Sequence, residues 1–415
     1  MLTLEQAQSA IIDAVKPAES SETVALAAAD GRFLAGSATA LVDNPAFDNS
    51  AMDGYAVSTQ ALVDNNFILP LEGEAACGDA PGKLKANTCM RIFTGAPLPS
   101  GADAVVIQED IKIEGNPGNI KIHFPHTAQP GQNLRHTGED FRRGDVFFKS
   151  GHRLTPADLA LLSSAGVAEV KSWRCPRALV IATGNELVSP GTPLQPGQIY
   201  ESNRLATTLL LQGLGVDVTD GGSVRDEPDA VREMFADAGD YDFVITSGGV
   251  SVGDHDLVKD AFGEVGKIDF WKVRVKPGKP VAFGHIGERC HFLGLPGNPV
   301  SSLVTFKLFL EPALFAWNHA PYRMQQVQAV LENDYTRHAG RTEFLRAHIN
   351  VDAGGMLHAT ILKGQGSHMI GTLAEANGLV RMESDLSELK RQQMVQVILL
   401  RDTLPLADQG DLKNG

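Results

Sequence analysis

The chain has 415 residues, of which 43% are hydrophobic and 21% charged; that is too long for one ordinary core and fits about two to four globular domains. A formal net charge of −14 excludes broad nucleic-acid binding, which needs a basic surface. No apolar stretch reaches the ~20 residues that span a bilayer, and Met1-Leu-Thr-Leu-Glu-Gln-Ala7 shows no basic-then-apolar leader, so the expectation is a cytoplasmic protein with no membrane contact. Cys77, Cys89, Cys175 and Cys290 are widely spaced with no Cys-x-x-Cys pair, which argues against disulfides and thiolate zinc and reads each as a small buried hydrophobe.

In chain order, residues 1–40 read as helical from Leu4, Ala7, Ile11, Ile12 and Val15 at three- and four-residue spacing. Residues 43–140 are rich in Gly, Pro and Asp with short alternating runs such as Ile120-Lys-Ile-His-Phe124, a β-rich domain. Thr155-Pro156 opens a helix that Gly166 ends. From Arg177 strand and helix alternate: strands at 178–182, 216–218, 242–246, 268–275, 281–283 and 290–295, helices at 203–214, 228–238 and 300–314, and a helix start at Asp254–Phe262. That alternation predicts an open, mostly parallel α/β sheet. Short β runs at 342–349 and 394–400 predict a small β-barrel-like domain, followed by a polar tail. The resulting α/β multidomain organisation is a helical linking domain (1–42 and 141–175), a β-rich domain (43–140), an α/β domain (176–322), a barrel-like domain (323–405) and a disordered tail (406–415).

The densest motif is Thr246-Ser-Gly-Gly-Val-Ser-Val-Gly-Asp254. A buried strand that breaks into Gly-Gly and then a helix turns backbone N–H groups outward and binds anions such as phosphate. Gly248, Gly249 and Gly253 permit the turn and a close ligand approach, and Asp254 and Asp256 beside it suit a hard cation such as Mg²⁺. The bland alternative is a tight turn only. Because ligands of open α/β sheets bind at the carboxyl ends of strands, this turn should meet three other loops: Thr183-Gly-Asn-Glu-Leu187, Ser223-Val-Arg-Asp-Glu-Pro228 and Gly294-Leu-Pro-Gly-Asn-Pro299. Glu186, Asp226, Asp254 and Asp256 are then the acidic candidates, with helix capping as the alternative for Asp226. Pro296 and Pro299 stiffen the last loop, and Asn298 can cap the helix after it. Lys276-Pro-Gly-Lys279 puts two lysines on one tight turn, either an anion site in an acidic chain or two solvated lysines.

Phe47-Asp-Asn-Ser-Ala-Met-Asp-Gly-Tyr-Ala56 and Arg91-Ile-Phe-Thr-Gly-Ala-Pro97 read by physics alone as ordinary hydrogen-bonded turns. Together and in order with Thr183-Gly-Asn-Glu-Leu, Ser247-Gly-Gly-Val-Ser-Val-Gly, Lys276-Pro-Gly-Lys-Pro and Leu295-Pro-Gly-Asn-Pro-Val, they resemble the MoeA family of molybdopterin molybdenumtransferases, which includes the gephyrin E domain. The resemblance covers about residues 5 to 400. It implies an elongated homodimer that inserts molybdate into adenylylated molybdopterin and releases AMP, with a cleft between the α/β domain of one subunit and the β-rich domain of the other. By position it implies roles for Asp53 and Thr94 on the β-rich side, and for Glu186, Asp226, Asp256, Lys276, Lys279 and Ser367 on the other. It further implies ligand binding by Ser247, Gly248, Gly249, Ser251, Gly253, Pro296, Asn298 and Pro299, and Mg²⁺ held among Asp53, Asp256 and Glu186. Transient contact with other cofactor-biosynthesis proteins and molybdoenzymes is also expected. Asn185 stands where the family often has Asp. Two other readings are a molybdopterin adenylyltransferase of the same α/β fold, which would lack the flanking domains, and a non-catalytic protein-binding scaffold.

Overall fold

The computed structural model describes residues 1–225, 227–235, 237–249, 262–263 and 265–401. They form two compact units. Met1–Glu22, Gly31–Phe33 and the chain from Trp173 make one; Thr23–Asp30 and Leu34–Ser172 make the other.

The first unit is built on α1 (Leu4–Ala14), β1 (Arg177–Thr183), α2 (Asn203–Gly213), β2 (Asp217–Val224), α3 (Pro228–Met234), β3 (Phe243–Ser247), β4 (Gly266–Lys272), β5 (Pro280–Ile286), β6 (Cys290–Leu295) and α4 (Pro299–Trp317). The sheet runs β2-β1-β3-β6-β5-β4. The four strands from β2 to β6 are mutually parallel, and β5 and β4 add antiparallel. Period-two burial explains the fold: Ala178, Val180, Phe243 and Ile245 pack into one core, while Leu179, Ile181 and Val244 pack into another on the opposite face. Strands apolar on both faces are what a parallel sheet covered by helices requires. Apolar α4 is long enough to cross a membrane, but 72% of it is buried inside the unit, so it is a core helix.

The same unit carries a closed five-stranded barrel. Thr342–Val351 pairs with Leu357–Ile361 and with Gly378–Met382, and the ring closes through Gln326–Leu331 and Met394–Leu399. The short strand Val275–Lys276 pairs parallel to Thr342–Glu343. It thereby ties the lysine turn to the barrel; the sequence had joined Val275 to the strand at 268–275, whereas β4 ends at Lys272.

In the second unit a six-stranded sheet is ordered Ala104–Ile107, Gly54–Val57, Cys89–Ile92, Ile68–Ala75, Asn119–His123, Lys112–Asn116. Helix Pro156–Ser164 starts with a Thr155–Asp158 capping box. The helical expectation for residues 1–40 holds only for α1; Pro17 follows it, and Ser21–Ala25 is a strand. Cys89 and Cys290 are buried, which pushes both thiols up to about 12. Cys77 departs from expectation and is exposed.

His291 lies fully buried on β6 against Phe243 and Phe283, with Nε2 accepting from the Lys16 N–H at 3.2 Å. Burial first, and His285 second, lower its pKa from 6.5 to about 4. Between those values the unfolded chain binds a proton that the folded chain refuses, so this stabilisation is full above the upper value and lost as pH falls toward the lower. Wild-type stability should therefore fall by about 2 kcal/mol more than that of His291→Gln between about pH 7 and about pH 5, measured by urea unfolding at each pH.

Candidate active site

Register brings the loops together. Ala182 of β1 lies opposite Ser247 of β3, and Ser247 lies opposite Leu295 of β6. The next residues, Thr183-Gly184, Gly248-Gly249 and Pro296-Gly297, therefore leave neighbouring strands at one level. Gly248 has φ +92°, and a Cβ there would sit 2.5 Å from the Thr183 carbonyl. Only glycine fits both demands. Gly248 Cα is 3.7 Å from where a Cβ of Gly297 would be, so the two turns are close-packed.

Around these turns lies a cavity of about 580 Å³, lined among others by Thr183, Glu186, Ser247, Gly248, Gly249, Asn298 and His368. Two helix N-termini open onto it, Ser202-Asn203 of α2 and Asn298-Pro299 of α4. The Asn203 side chain donates to the Gly297 carbonyl at 2.6 Å and locks the two loops. Asn298 occupies the N-cap position but makes no side-chain capping bond, contrary to the capping expectation. Thr183 is 4% exposed, and its Oγ1 has no hydrogen-bond partner among the described residues. A buried unpartnered hydroxyl on the wall of a cavity is a polar group waiting for a ligand or water. The Gly248 N–H is taken by the Leu295 carbonyl, so it is the helix N-termini and hydroxyls that make this cavity suited to an anionic, polar ligand.

A second hollow of about 500 Å³ shares Pro280 and Asn298 with the first. Lys276, Lys279, Arg341 and Ser367 line it. Its lysine turn is seated on α4: a Cβ on Gly278 (φ +103°) would meet Thr305 at 2.4 Å. Ser367 arrives on a barrel loop whose carbonyls are held by buried Arg346, through Gly364 at 2.7 Å and Gly366 at 3.1 Å. The Ser367 carbonyl also accepts from the Val300 N–H, satisfying an orphan donor of α4. Three cations and a hydroxyl around one hollow suit a tetrahedral oxyanion. Sequence reading missed Arg341; the signal was a basic residue on Gly340, directly before a barrel strand.

In the second unit, Gly54 pairs with Ile92, so Asp53 and Thr94 leave adjacent strand ends. The Thr94 N–H and Oγ1 both donate to Asp53 Oδ1 at 2.8 Å. Those bonds, the backbone one first, hold the Asp53 carboxyl below the usual range and leave Oδ2 without a partner among the described residues. Gly54 is required, since its Cβ would lie 2.1 Å from the Val106 carbonyl. Exposed Cys77, also missed, donates its thiol to the Thr94 carbonyl at 3.0 Å.

Asp226, Ser251, Gly253, Asp254 and Asp256 lie outside the described residues. Of the expected site, the first unit brings together Glu186, Ser247, Gly248, Gly249, Pro296, Asn298 and Pro299 at the larger cavity, and Lys276, Lys279 and Ser367 at the smaller. Asp53 and Thr94 belong to the other unit. Glu186, exposed at the larger cavity of the first unit, and Asp53 in the second, with Oδ2 unpartnered among the described residues, are each carboxylates of the kind a hard cation takes. Among the described residues no three acidic, His or Cys groups gather at one point.

Three family models match the chain end to end: "MoeA N-terminal region (domain I and II)" at residues 2–166, "Probable molybdopterin binding domain" at 179–316 and "MoeA C-terminal region (domain IV)" at 328–400. The molybdopterin molybdenumtransferase of Haemophilus influenzae is 36% identical over 96% of this chain and 98% of its own length. That of Bacillus subtilis is 34% identical over 92% and 90%. The crystal structure of the molybdopterin biosynthesis moeA protein from Pyrococcus horikoshii superposes with a TM-score of 0.81 at 28% identity, covering 96% of this chain and 100% of that one.

The Gly248 geometry gives a direct test. Gly248→Ala combines a left-handed φ with a backbone clash, whereas Gly222→Ala has φ +75° and nothing within 4 Å. Gly222→Ala should cost about 1–2 kcal/mol. Gly248→Ala should cost clearly more, measured as the fall in thermal unfolding midpoint of both variants side by side.

Proposed function

The chain belongs to the MoeA family of molybdopterin molybdenumtransferases, and on that premise we propose that it inserts molybdate into adenylylated molybdopterin, releasing AMP and forming molybdenum cofactor. The observation that carries this reading is the adjacency of two chemically different hollows that share Pro280 and Asn298. The larger, with its glycine turn and two helix N-termini, receives the adenylylated pterin and its phosphates. The smaller holds molybdate between Lys276, Lys279, Arg341 and Ser367, next to the acceptor sulfurs. A lone adenylyltransferase of the α/β fold would need neither the barrel that positions Ser367 nor the N-terminal region. A non-catalytic scaffold would have no use for the lysine hollow.

These residues act by positioning and charge. Lys276 and Lys279 suit a tetrahedral dianion because an ammonium is a compact charge without fixed planar geometry. Holding it beside the bound pterin converts an encounter into a proximity effect, and the two helix N-termini stabilise charge on the phosphate that departs with AMP. Asp53, Glu186 and Asp256 are the carboxylates that would hold Mg²⁺, which would supply positive charge against the phosphoanhydride. We place the reaction in the cytoplasm, where free cysteines stay reduced.

The functional species is a homodimer in which Asp53 and Thr94 of one copy complete the cavity of the other. Exposed apolar residues support an interface beside that cavity: Ile199 (55%) and Tyr200 (46%), then Leu205 (59%) and Leu209 (58%) one turn apart on α2.

The reaction itself is tested by incubating the protein with adenylylated molybdopterin, Mg²⁺ and molybdate and following AMP. Wild type should release it. Lys276→Ala with Lys279→Ala should need at least about tenfold more molybdate for half-maximal release while retaining adenylylated molybdopterin nearly as well. Loss of pterin binding with an unchanged molybdate response would assign the lysines to the pterin phosphate instead.

The shared cleft has its own test. Asp53→Ala and Lys279→Ala proteins, each impaired alone at limiting molybdate, should regain activity when mixed under conditions of proven subunit exchange, because one cleft of the mixed dimer carries neither change. Exchange without recovery would place both residues in the same chain's site.

A further inference from the structure

Glu343 carries a charge that the oxyanion reading leaves unexplained. Its side chain is 2% exposed, yet Oε1 lies 2.7 Å from Lys276 Nζ, which is itself 44% exposed. The contact follows from topology: Lys276 pairs with Glu343 in the parallel ladder between the lysine turn and the barrel. Arg337, 5% exposed, approaches Glu343 Oε2 at 3.4 Å, and Tyr335 donates to Oε1 at 3.5 Å. Arg337 is further tied to the Arg341 and Glu383 carbonyls. Lys276 and Arg341 also wall a third hollow of about 370 Å³, together with Arg337 and His338. Among the described residues Glu343 is the sole carboxylate in ion-pair distance of any cation in these two hollows.

Glu343 does not itself line either hollow, but a buried negative charge paired with a lysine of an anion site opposes the anion. A purely structural pairing for Arg337 would not require Lys276 to share it. We propose that Glu343 is a positioning residue of the oxyanion site: it holds Lys276 as a counter-ion in the resting protein and competes with the incoming dianion for that lysine, so that it sets how tightly the oxyanion is held. This rests on the assignment of Lys276 to molybdate. Ground-state binding that is too tight raises the barrier to transfer, and a counter-ion that yields only part of its partner limits that binding.

The test is calorimetric titration of the full-length protein with molybdate. Lys276→Met should weaken binding. Glu343→Gln keeps the size and one acceptor oxygen but removes the charge, and should tighten binding by roughly five- to tenfold. The effect should vanish in the double variant, which should match Lys276→Met alone, because Glu343 acts through the lysine. A merely structural Glu343 would change the unfolding midpoint equally in both backgrounds and leave molybdate affinity alone. Loss of a counter-ion to buried Arg337 threatens folding, so Glu343→Asp provides the second variant: it retains the charge, lengthens the pair to Lys276, and should tighten binding to a smaller degree. Unchanged or weaker binding in folded Glu343→Gln or Glu343→Asp, with Lys276→Met weakened, overturns this inference and leaves the oxyanion site standing. Unchanged binding in Lys276→Met removes both.

Discussion

Parallel pairing of β1, β3 and β6 fixes the level at which three loops leave the sheet, and the chemistry of the first unit depends on it. Ala182, Ser247 and Leu295 are in register across three strands. A slip of one residue would turn Ala178, Val180, Phe243 and Ile245 out of one core and into the other. The register that buries the sheet is thus the register that converges Thr183, Gly248 and Pro296. Gly248 then has to pass within contact of the Thr183 backbone, and a side chain there is incompatible with the pairing. Core packing and ligand site are two consequences of one alignment.

The second hollow is made differently. Its cations come from a turn and from a loop before a barrel strand, its hydroxyl from a barrel loop, and none belongs to the α/β sheet proper. They converge because Val275–Lys276 adds to the barrel edge and because Arg346, 1% exposed, organises the Gly364–Gly366 carbonyls. In a chain of net charge −14, a cationic hollow has to be kept local. Buried Glu343 makes the balance explicit, since it offsets the charge of equally buried Arg337 and of half-exposed Lys276.

Asp53 shows the same economy in the second unit. Two donors from Thr94 fall on one carboxylate oxygen and stabilise the ionised form, so the group stays a carboxylate while offering its other oxygen. The glycine after it is demanded by the neighbouring strand, not by the carboxylate. Motifs that look like ordinary turns in isolation therefore carry two requirements at once, one for the sheet and one for the exposed group.

The sequence by itself determined the α/β alternation, the barrel-like end and the identity of most candidate residues. Apolar runs with period two, Gly-Gly after a strand and Lys-Pro-Gly-Lys on a turn are local signals, and local chemistry writes them. Six motifs in one order supplied the family. It misjudged residues 1–40, where propensity at Leu4–Ala14 was extended past Pro17 into a strand, and it expected Asn298 to cap a helix although its side chain makes no capping bond. Only the tertiary structure decided that Thr183 presents an unpartnered hydroxyl, that Arg341 and Ser367 share a hollow with the lysines, and that Glu343 sits against Lys276. Each of these joins residues far apart in the chain through strand pairing and burial, and no spacing within a sequence encodes a distance that only register and packing create.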